Sequence, residues 1–174
     1  MKKLFLILAL VLALAPATVL ADGVSVLAGF QSVSFGADLG EYYDIPPGAG
    51  FALLVGLDVG IPLDIRFGRR SATEGNSGAD TTYQWIELGP RFFLGREDAD
   101  IRGDFFLGVG SYDLKLDDFE FDTASGGYLG MGVEEIVSEH FVGRIEVKGV
   151  YWKSDTFSTD GASLNVGLLF GYKF

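Results

Sequence analysis

The side chains best suited to catalysis form one short cluster in the sequence. Ser138, Glu139 and His140 follow one another, and His140 is the only histidine in the 174-residue chain. A nucleophile, an acid and a base must converge on one substrate atom, which three neighbours in a tight turn cannot easily do. The sequence therefore predicts a solvated turn at this position and no catalytic residues.

Metal chemistry has little support in the sequence. The chain lacks cysteine, so thiolate metal sites and disulfides are excluded. The densest acidic run, residues 117–122, offers carboxylate oxygens of the kind that Ca²⁺ and Mg²⁺ prefer. It lacks the spacing and the turn glycine of an EF-hand, so we interpret it as a solvated acidic loop. We predict no metal site and no cofactor.

A second group of charged residues occupies alternate positions along apolar segments. In residues 129–134, for example, Leu129, Met131 and Val133 alternate with two glycines and Glu134. A period of two places successive side chains on opposite faces of a β-strand. Nine charged residues share the face that carries glycines and small residues: Asp58, Arg66, Glu87, Arg91, Asp104, Glu134, Arg144, Glu146 and Lys148.

The same alternation predicts eight strands. They cover about residues 23–35, 50–59, 63–71, 82–94, 101–116, 127–137, 141–153 and 164–174, with a phase slip near Ser111 that indicates a bulge. The longer connections, residues 36–49, 72–81, 117–126 and 154–161, alternate with shorter ones. An antiparallel up-and-down barrel places every second connection at the same rim. The predicted fold is therefore all-β, an eight-stranded antiparallel up-and-down barrel.

The start of the chain predicts export. Lys2 and Lys3 precede an apolar run over residues 4–15, and Ala21 ends a suitable cleavage site. The run is too short for a transmembrane helix, so we predict a cleaved signal peptide over residues 1–21 and a single barrel domain over residues 22–174. The signal peptide carries two lysines and no acids, so its removal lowers the net charge from −11 to −13. Such an acidic chain without a basic stripe is not expected to bind nucleic acid.

The two faces of the strands predict a membrane barrel. An Arg or Lys on a lipid-facing wall near the midplane costs about 2–4 kcal/mol, whereas enclosed charges of opposite sign can pair. We therefore expect the apolar face to meet lipid, and the charges to fill a lumen that eight strands leave just wide enough for side chains. A soluble barrel of the lipocalin kind, with its apolar face inward, is the alternative.

Aromatic residues near the ends of the predicted strands suggest girdles at the two membrane interfaces. The group assigned to the outer rim is Tyr83, Trp85, Tyr112, Tyr128, Tyr151 and Trp152. For Trp85 and Trp152 the strand phase points inward, so an inward position is an equally good interpretation. The group assigned to the opposite rim is Phe92, Phe93, Phe105, Phe106, Phe141, Tyr172 and Phe174.

These features resemble the small outer-membrane β-barrel superfamily of the OmpA transmembrane domain and OmpX. The resemblance rests on the leader, on residues 87–93, on the glycine-alternating strands and on the ending Phe170-Gly171-Tyr172-Lys173-Phe174. It implies a location in a Gram-negative type of outer membrane, among lipid and lipopolysaccharide. It also implies that Phe170, Tyr172 and Phe174 form a signal read by the barrel assembly machinery.

The function expected from this resemblance is non-enzymatic. We expect a structural or surface-interaction role through four outer loops, which would contact lipopolysaccharide or an extracellular ligand. A narrow channel for ions or small hydrophobic compounds is one alternative. A lipid-modifying barrel enzyme is the second.

Overall fold

Antiparallel strands make up most of the described chain. The computed structural model describes residues 23–36, 47–58, 60–73, 80–95, 99–116, 119–120, 123–153 and 160–174. The strands within them are β1 (Val24–Phe35), β2 (Gly48–Asp58), β3 (Pro62–Thr73), β4 (Asp80–Leu94), β5 (Ile101–Leu116), β6 (Phe119–Glu120), β7 (Ala124–Ile136), β8 (Phe141–Lys153) and β9 (Asp160–Lys173). Nowhere in these residues is there a helix long and apolar enough to cross a membrane.

Eight of these strands close into a barrel. Each pairs with the next along the chain, β5 pairs with β7, and β9 returns to pair with β1. The closing ladder places Ala28 of β1 opposite Phe170 of β9. The two-residue β6, which the sequence assigned to a loop, pairs only with the end of β5. The predicted all-β, eight-stranded antiparallel barrel is confirmed, while the leader over residues 1–21 lies outside the described residues.

Connections of different kinds lie at the two ends of the barrel. The connections after β2 and β4 turn at Gly60 and Gly95, whose φ angles of +94° and +99° favour glycine because it has no Cβ. The connection after β7 is a tight turn in which the Val137 amide donates to the Phe141 carbonyl at 2.8 Å. We call this the turn end. The opposite end, which β1, β3, β5 and β8 leave through the longer connections, is the loop end.

The outward face of the barrel is an apolar belt. Leu129, Met131 and Val133 of β7 are 63%, 67% and 51% exposed, while Tyr128 and Glu134, on the other face of the same strand, are buried. The same belt continues on β8 and β9 through Ile145, Val147, Leu164, Val166, Leu168 and Phe170. Because apolar side chains cover the outside and charges lie inside, the alternative of a soluble barrel with an apolar interior is wrong.

Several strands extend further toward the loop end than the sequence predicted. β2 begins at Gly48, β7 at Ala124 and β9 at Asp160, instead of residues 50, 127 and 164. Beyond the belt the outward positions are polar, as at Arg69 and Ser71 of β3, so the apolar alternation disappears. The backbone ladder continues regardless of that alternation, because its hydrogen bonds join main-chain groups.

The bulge predicted near Ser111 is wrong. β4 and β5 keep one register from Leu88 opposite Val109 through to Thr81 opposite Leu116. Ser111 therefore stays on the outward face, and Tyr112 and Leu114 stay on the inward face, where both are buried. The sequence suggested a slip because the large side chains change from the outward to the inward face at this height.

Candidate functional site: the closed barrel lumen

Charged side chains fill the half of the lumen nearer the turn end. Ten of them pair with one another and none is more than 7% exposed: Asp64, Arg66, Glu87, Arg91, Arg102, Asp104, Glu134, Arg144, Glu146 and Lys148. They face inward because they occupy the strand positions that alternate with the belt. Five are acids and five are bases, so the set is electrically balanced. A further buried base, Arg70, lies nearer the loop end with its guanidinium 5.2 Å from the Phe35 ring.

Glu146 lies between two arginines. Arg66 Nη1 donates to both carboxylate oxygens of Glu146, at 2.7 Å and 2.8 Å. Arg144 Nε donates to Glu146 Oε2 at 2.9 Å. Arg66 also donates through Nη2 to Asp64 Oδ2 at 2.9 Å. One guanidinium therefore holds acids from two strands, β3 and β8, across the lumen.

A third arginine closes these pairs into a ring. Arg91 Nη1 donates to Glu134 Oε2 at 3.0 Å, and Arg91 Nε lies 3.4 Å from Asp64 Oδ1. Arg144 Nη1 lies 3.9 Å from the same oxygen of Glu134. Six side chains of alternating charge thus form a closed circuit, which we call the ionic ring: Asp64, Arg66, Arg91, Glu134, Arg144 and Glu146.

Two residues extend the ionic ring. Arg144 donates through Nη1 and Nη2 to the two oxygens of Asp104, at 2.5 Å and 2.8 Å. Arg102 donates through Nη2 to Glu134 Oε1 at 2.6 Å. The paired bond to Asp104 has the fork geometry in which arginine binds carboxylate most strongly.

A separate ion pair lies nearer the middle of the barrel. Lys148 Nζ donates to Glu87 at 2.7 Å and 2.5 Å, and the Tyr112 hydroxyl donates to Glu87 Oε1 at 3.2 Å. Removing one partner of such a buried pair costs about 3–5 kcal/mol, because the other charge remains buried without compensation. Each charge in the lumen therefore requires its partner.

Aromatic rings fill the lumen nearer the loop end. Tyr83 is central: its ring centroid lies 5.2 Å from Phe35, 5.1 Å from Trp85 and 5.7 Å from Trp152. Tyr112 stacks 5.6 Å from Trp152 and completes the group. We call these five rings the aromatic cap. Its positions follow from the strands, because Tyr83 and Trp85 come at the loop end of β4 and Trp152 at the loop end of β8.

Cation–π contacts join the charged and aromatic parts of the lumen. The Arg66 guanidinium lies 3.8 Å from the Phe106 ring centroid, and Lys148 Nζ lies 5.6 Å from Trp85 and 5.5 Å from Tyr128. Desolvated contacts of this kind contribute about 2 kcal/mol. No apolar layer separates the two halves, so the filling continues from the ionic ring to the aromatic cap.

Little space remains in the part of the lumen that the described residues line. A cavity of about 10 Å³ lies between Gln31, Trp85 and Lys148, which is at most the room for one water molecule. The wall positions that face these rings must be glycine, because a side chain there would collide with a ring. A methyl group on Gly68 would lie 1.9 Å from Trp85 Cζ2, and one on Gly130 would lie 2.4 Å from Phe106 Cζ. A vestibule of about 330 Å³ opens at the turn end, bordered by Arg91 and Phe93.

A family model decides the identity of this barrel. Residues 4–174 match the model of the outer membrane protein β-barrel domain. The chain belongs to this family. It is accordingly an outer-membrane barrel, as the apolar belt and the enclosed charges had suggested. A search of curated protein sequences finds no match to the chain.

Solved structures share the fold of this outer-membrane barrel. Neisserial surface protein A matches with a TM-score of 0.74 at 15% sequence identity, over 88% of this chain and 98% of that chain. Ail of Yersinia pestis matches at 0.60 and 20% identity, over 88% and 99% of the two chains. OprG of Pseudomonas aeruginosa matches at 0.58 and 13% identity, over 88% and 96%. At these identities the likeness establishes the architecture alone.

The structure brings eight of the nine charged residues proposed for the lumen into the ion pairs described above. The ninth, Asp58, does not join them. It is exposed at the end of β2, beside the turn-end vestibule, and its backbone amide donates to the Gly23 carbonyl at 2.6 Å. Its assignment to the lumen network is corrected: it shares the inward phase, but β2 ends there, so its side chain meets solvent.

Two members of the lumen network were missed by the sequence reasoning. Asp64 stands two residues before Arg66 and Arg102 two residues before Asp104, so both share the inward phase of a residue that was included. The shared inward phase would have included both residues, although Asp58 shows that phase alone does not establish burial. With Asp64 and Arg102 included and Asp58 removed, five acids match five bases.

The aromatic girdle predicted for the loop end is largely wrong. Tyr83, Trp85, Tyr112, Tyr128 and Trp152 are buried in the lumen, and of the predicted group Tyr151 is exposed on the outer wall. The alternation along each strand explains the error, since all five buried residues occupy the positions between belt residues and therefore face the lumen. Proximity to a strand end predicted the height of these residues along the barrel but not the face on which they lie. Of the aromatic residues assigned to the opposite rim, Phe106 is buried in the lumen beneath Arg66, and Phe93 faces Arg91.

The serine–glutamate–histidine cluster lies in the turn between β7 and β8. All three residues are exposed. His140 Nδ1 lies 3.2 Å from the Lys173 carbonyl, and its ring stacks 5.0 Å from Tyr172. Among the described residues, no group of three His, Asp or Glu side chains is placed to hold a metal ion. Most of the acidic run over residues 117–122 lies outside the described residues.

The aromatic residues of the last strand lie on the outer wall. Phe170, Tyr172 and Phe174 are 49%, 44% and 52% exposed, and the Tyr172 and Phe174 rings are 4.9 Å apart. They therefore form one accessible apolar stripe that reaches the turn end.

Proposed function

We propose that the protein is a non-enzymatic outer-membrane barrel with a structural or surface-interaction role. The observation that carries this proposal is the filled lumen. Paired charges occupy one half, five aromatic rings occupy the other, and the cavity between them has about the volume of one water molecule. A barrel whose lumen is filled in this way is a rigid anchor for the loops that join its strands.

The loops at the loop end are the proposed interaction surface. Barrels of this kind place short turns in the periplasm and long loops outside the cell. By that rule the connections around residues 37–46, 74–79, 117–122 and 154–159 face outward, and most of these residues lie outside the described part of the chain. Their proposed partners are lipopolysaccharide and an extracellular ligand.

The proposed assembly partner is the barrel assembly machinery. It would read the outward stripe of Phe170, Tyr172 and Phe174 on the closing strand. The exposure of all three rings on one face supports this proposal. We further propose that the precursor is exported through the leader over residues 1–21.

A lipid-modifying enzyme is less well supported. His140, the sole histidine, is exposed in a turn at the turn end, where it contacts the Lys173 carbonyl. In the proposed orientation this turn faces the periplasm, away from the outer leaflet. Mass spectrometry of lipid A from cells with and without the protein tests the enzymatic alternative, and we expect identical spectra.

A conductance measurement distinguishes the proposed structural role from the alternative of a narrow channel. The purified, refolded protein in planar bilayers should show no steady conductance, with a general porin as the positive control. A steady conductance of the unaltered protein that survives deletion of residues 37–46 would favour the channel and overturn the proposal.

A further inference from the structure

The vestibule at the turn end is a cavity of about 330 Å³ that leads from the solvent to the ionic ring. Ligand sites in proteins have volumes of about 300–1,000 Å³, so this space is large enough for a small organic molecule. Its border carries five charged residues: Asp58, Arg91, Arg102, Glu134 and Lys173. Three bases and two acids leave one positive charge at the vestibule.

The two arginines that border the vestibule make fewer hydrogen bonds than Arg66 and Arg144. Those two each make three hydrogen bonds to carboxylate oxygens. Among the described side chains, Arg91 and Arg102 make one each, and both bind the same acid, Glu134. A guanidinium has five N–H donors, so two positive groups with most of their donors share one carboxylate.

Both guanidiniums lack acceptors although they are buried. Arg91 and Arg102 are 5% and 7% exposed, and Nε of each has no hydrogen-bond partner among the described residues. Asp64 Oδ1 lies 3.4 Å from Arg91 Nε but is not hydrogen-bonded to it, and Asp64 already accepts from Arg66. A buried charged donor without an acceptor is destabilising. An anion in the vestibule would supply the negative charge that this pair lacks.

An aromatic ring holds the two guanidiniums beside the vestibule. The Phe93 ring centroid lies 4.7 Å from Arg91 Cζ and 4.4 Å from Arg102 Cζ. Phe93 is half-buried and borders the vestibule itself, as does Val142. The vestibule therefore offers an apolar surface next to two positive groups whose positions are already fixed, which lowers the cost of binding.

The wall formed by β9, β1 and β2 adds a third base and a bare position. Ser25 is opposite Lys173 on one side and Gly56 on the other, so the three lie in one inward-facing row. A methyl group on Gly56 would lie 2.5 Å from Ser25 Oγ and 3.0 Å from Arg91 Nη2. Glycine at this position therefore leaves room beside two further hydrogen-bond donors.

We propose that the vestibule binds a small organic monocarboxylate. The carboxylate accepts hydrogen bonds from Arg102 and Arg91, since the planar fork of arginine matches its two oxygens. Lys173 adds a positive charge at the mouth. The organic part of the ligand packs against Phe93 and Val142.

The charges around the vestibule favour a monoanion over a dianion. One negative charge neutralises the single excess positive charge of the border. A second negative charge on the ligand, as in a phosphate monoester, would face Asp58 and Glu134 without a base left to compensate it.

This site goes beyond the proposed function and can fail separately from it. In the proposed orientation the vestibule faces the periplasm, but binding to the purified barrel does not depend on orientation. Heat-modifiable mobility is measured first, so that a misfolded variant is not counted as a loss of binding. A folded barrel that binds no carboxylate counts against this inference alone, whereas failure to fold into bilayers counts against the proposed function.

The experiment is a ¹⁹F NMR titration of the full barrel in nanodiscs with 4-fluorobenzoate and with 4-fluorobenzamide. The two probes have similar shapes, but only the benzoate is charged. We expect the benzoate to bind at least about tenfold more tightly, because charged hydrogen bonds are stronger than neutral ones.

Variants at the border test which residues bind the carboxylate. Arg102→Gln should weaken benzoate binding at least about fivefold and leave benzamide binding unchanged. Arg102→Lys, which keeps the charge but loses the fork, should recover part of that loss. Lys173→Gln, at a half-buried position, should weaken benzoate binding about twofold and keeps the test decisive if the Arg102 variants do not fold.

Lys153→Gln is the matched control, since it removes an exposed positive charge at the opposite end of the barrel. It should leave both affinities unchanged. Equal affinity for the two probes, or no binding of either, would overturn the proposal. So would tighter binding of phenyl phosphate than of benzoate, or a loss in Lys153→Gln as large as that in Arg102→Gln.

Discussion

The two halves of the lumen are filled by different physical means. Toward the turn end, the ionic ring joins acids and bases from β3, β4, β7 and β8 with contacts of 2.7–3.9 Å. Toward the loop end, the aromatic cap packs five rings with centroids 5.1–6.2 Å apart. Both halves close the barrel, but the first depends on charge balance and the second on volume.

This difference determines which substitutions each half tolerates. A buried charge is compensated only when its partner lies within hydrogen-bonding distance. Removing one partner therefore leaves the other charged group buried without compensation. An aromatic ring contributes through its buried area and its many weak contacts, so a smaller ring recovers part of the loss. The ionic half should therefore be rescued by removing charge, and the aromatic half by restoring volume.

The largest effect is expected from Arg144→Ala. This guanidinium donates to Asp104 and Glu146 and lies 3.9 Å from Glu134, so its loss leaves three acids with fewer partners. We expect the free energy of unfolding to fall by about 3–5 kcal/mol. Urea unfolding in lipid vesicles, followed by tryptophan fluorescence, measures the change.

Asp58→Asn provides the charge control for this variant. Asp58 is exposed outside the ionic ring, so its neutralisation should change the free energy of unfolding by less than about 0.5 kcal/mol. If Arg144→Ala were no more destabilising than Asp58→Asn, the ionic ring would not be a stabilising unit.

A smaller loss is expected from Trp152→Ala in the aromatic cap. The ring contacts Tyr83, Tyr112 and Phe35, and its removal leaves a cavity beside them. We expect a cost of about 3 kcal/mol, near the lower end for large-to-small aromatic changes. Trp152→Phe should recover at least half of it in the same urea assay. Failure of phenylalanine to improve on alanine would contradict a volume-based role.

The smallest net effect is expected from the double variant Glu87→Leu with Lys148→Met. Glu87→Leu alone leaves Lys148 buried without its acid and should cost about 3 kcal/mol. The double variant should return to within about 1 kcal/mol of the unaltered protein, because both charges are gone. If the two single costs simply added, Lys148 and Glu87 would not be energetically coupled.

Most of the barrel could be predicted from period-two alternation, because most outward positions at the height of the belt are large and apolar. The loop-end extensions of the strands could not. At Arg69 and Ser71 the outward positions are polar, since they lie beyond the belt, and the pattern that defines a strand from sequence is lost there. Backbone pairing with β4 nevertheless continues along β3 at that height.

The candidate site was predicted in part. Strand phase placed residues such as Arg66 and Glu146 inside the lumen, and it would also have placed Asp64 and Arg102 there. For Tyr83 and Tyr112 the prediction used nearness to a strand end instead of phase, and the structure contradicts it. The partners of each charge were not predictable, because Arg66 and Glu146 are 80 residues apart in the chain.

The sequence by itself determined the strand faces, since alternation is a local property that fixes which side chains share a side. It also determined that enclosed charges of both signs would be available to pair. Only the tertiary structure decided which charges meet and that the ionic pairs close into a ring. Those features depend on the register between strands and on closure of β1 against β9, which bring distant residues to one height of the barrel.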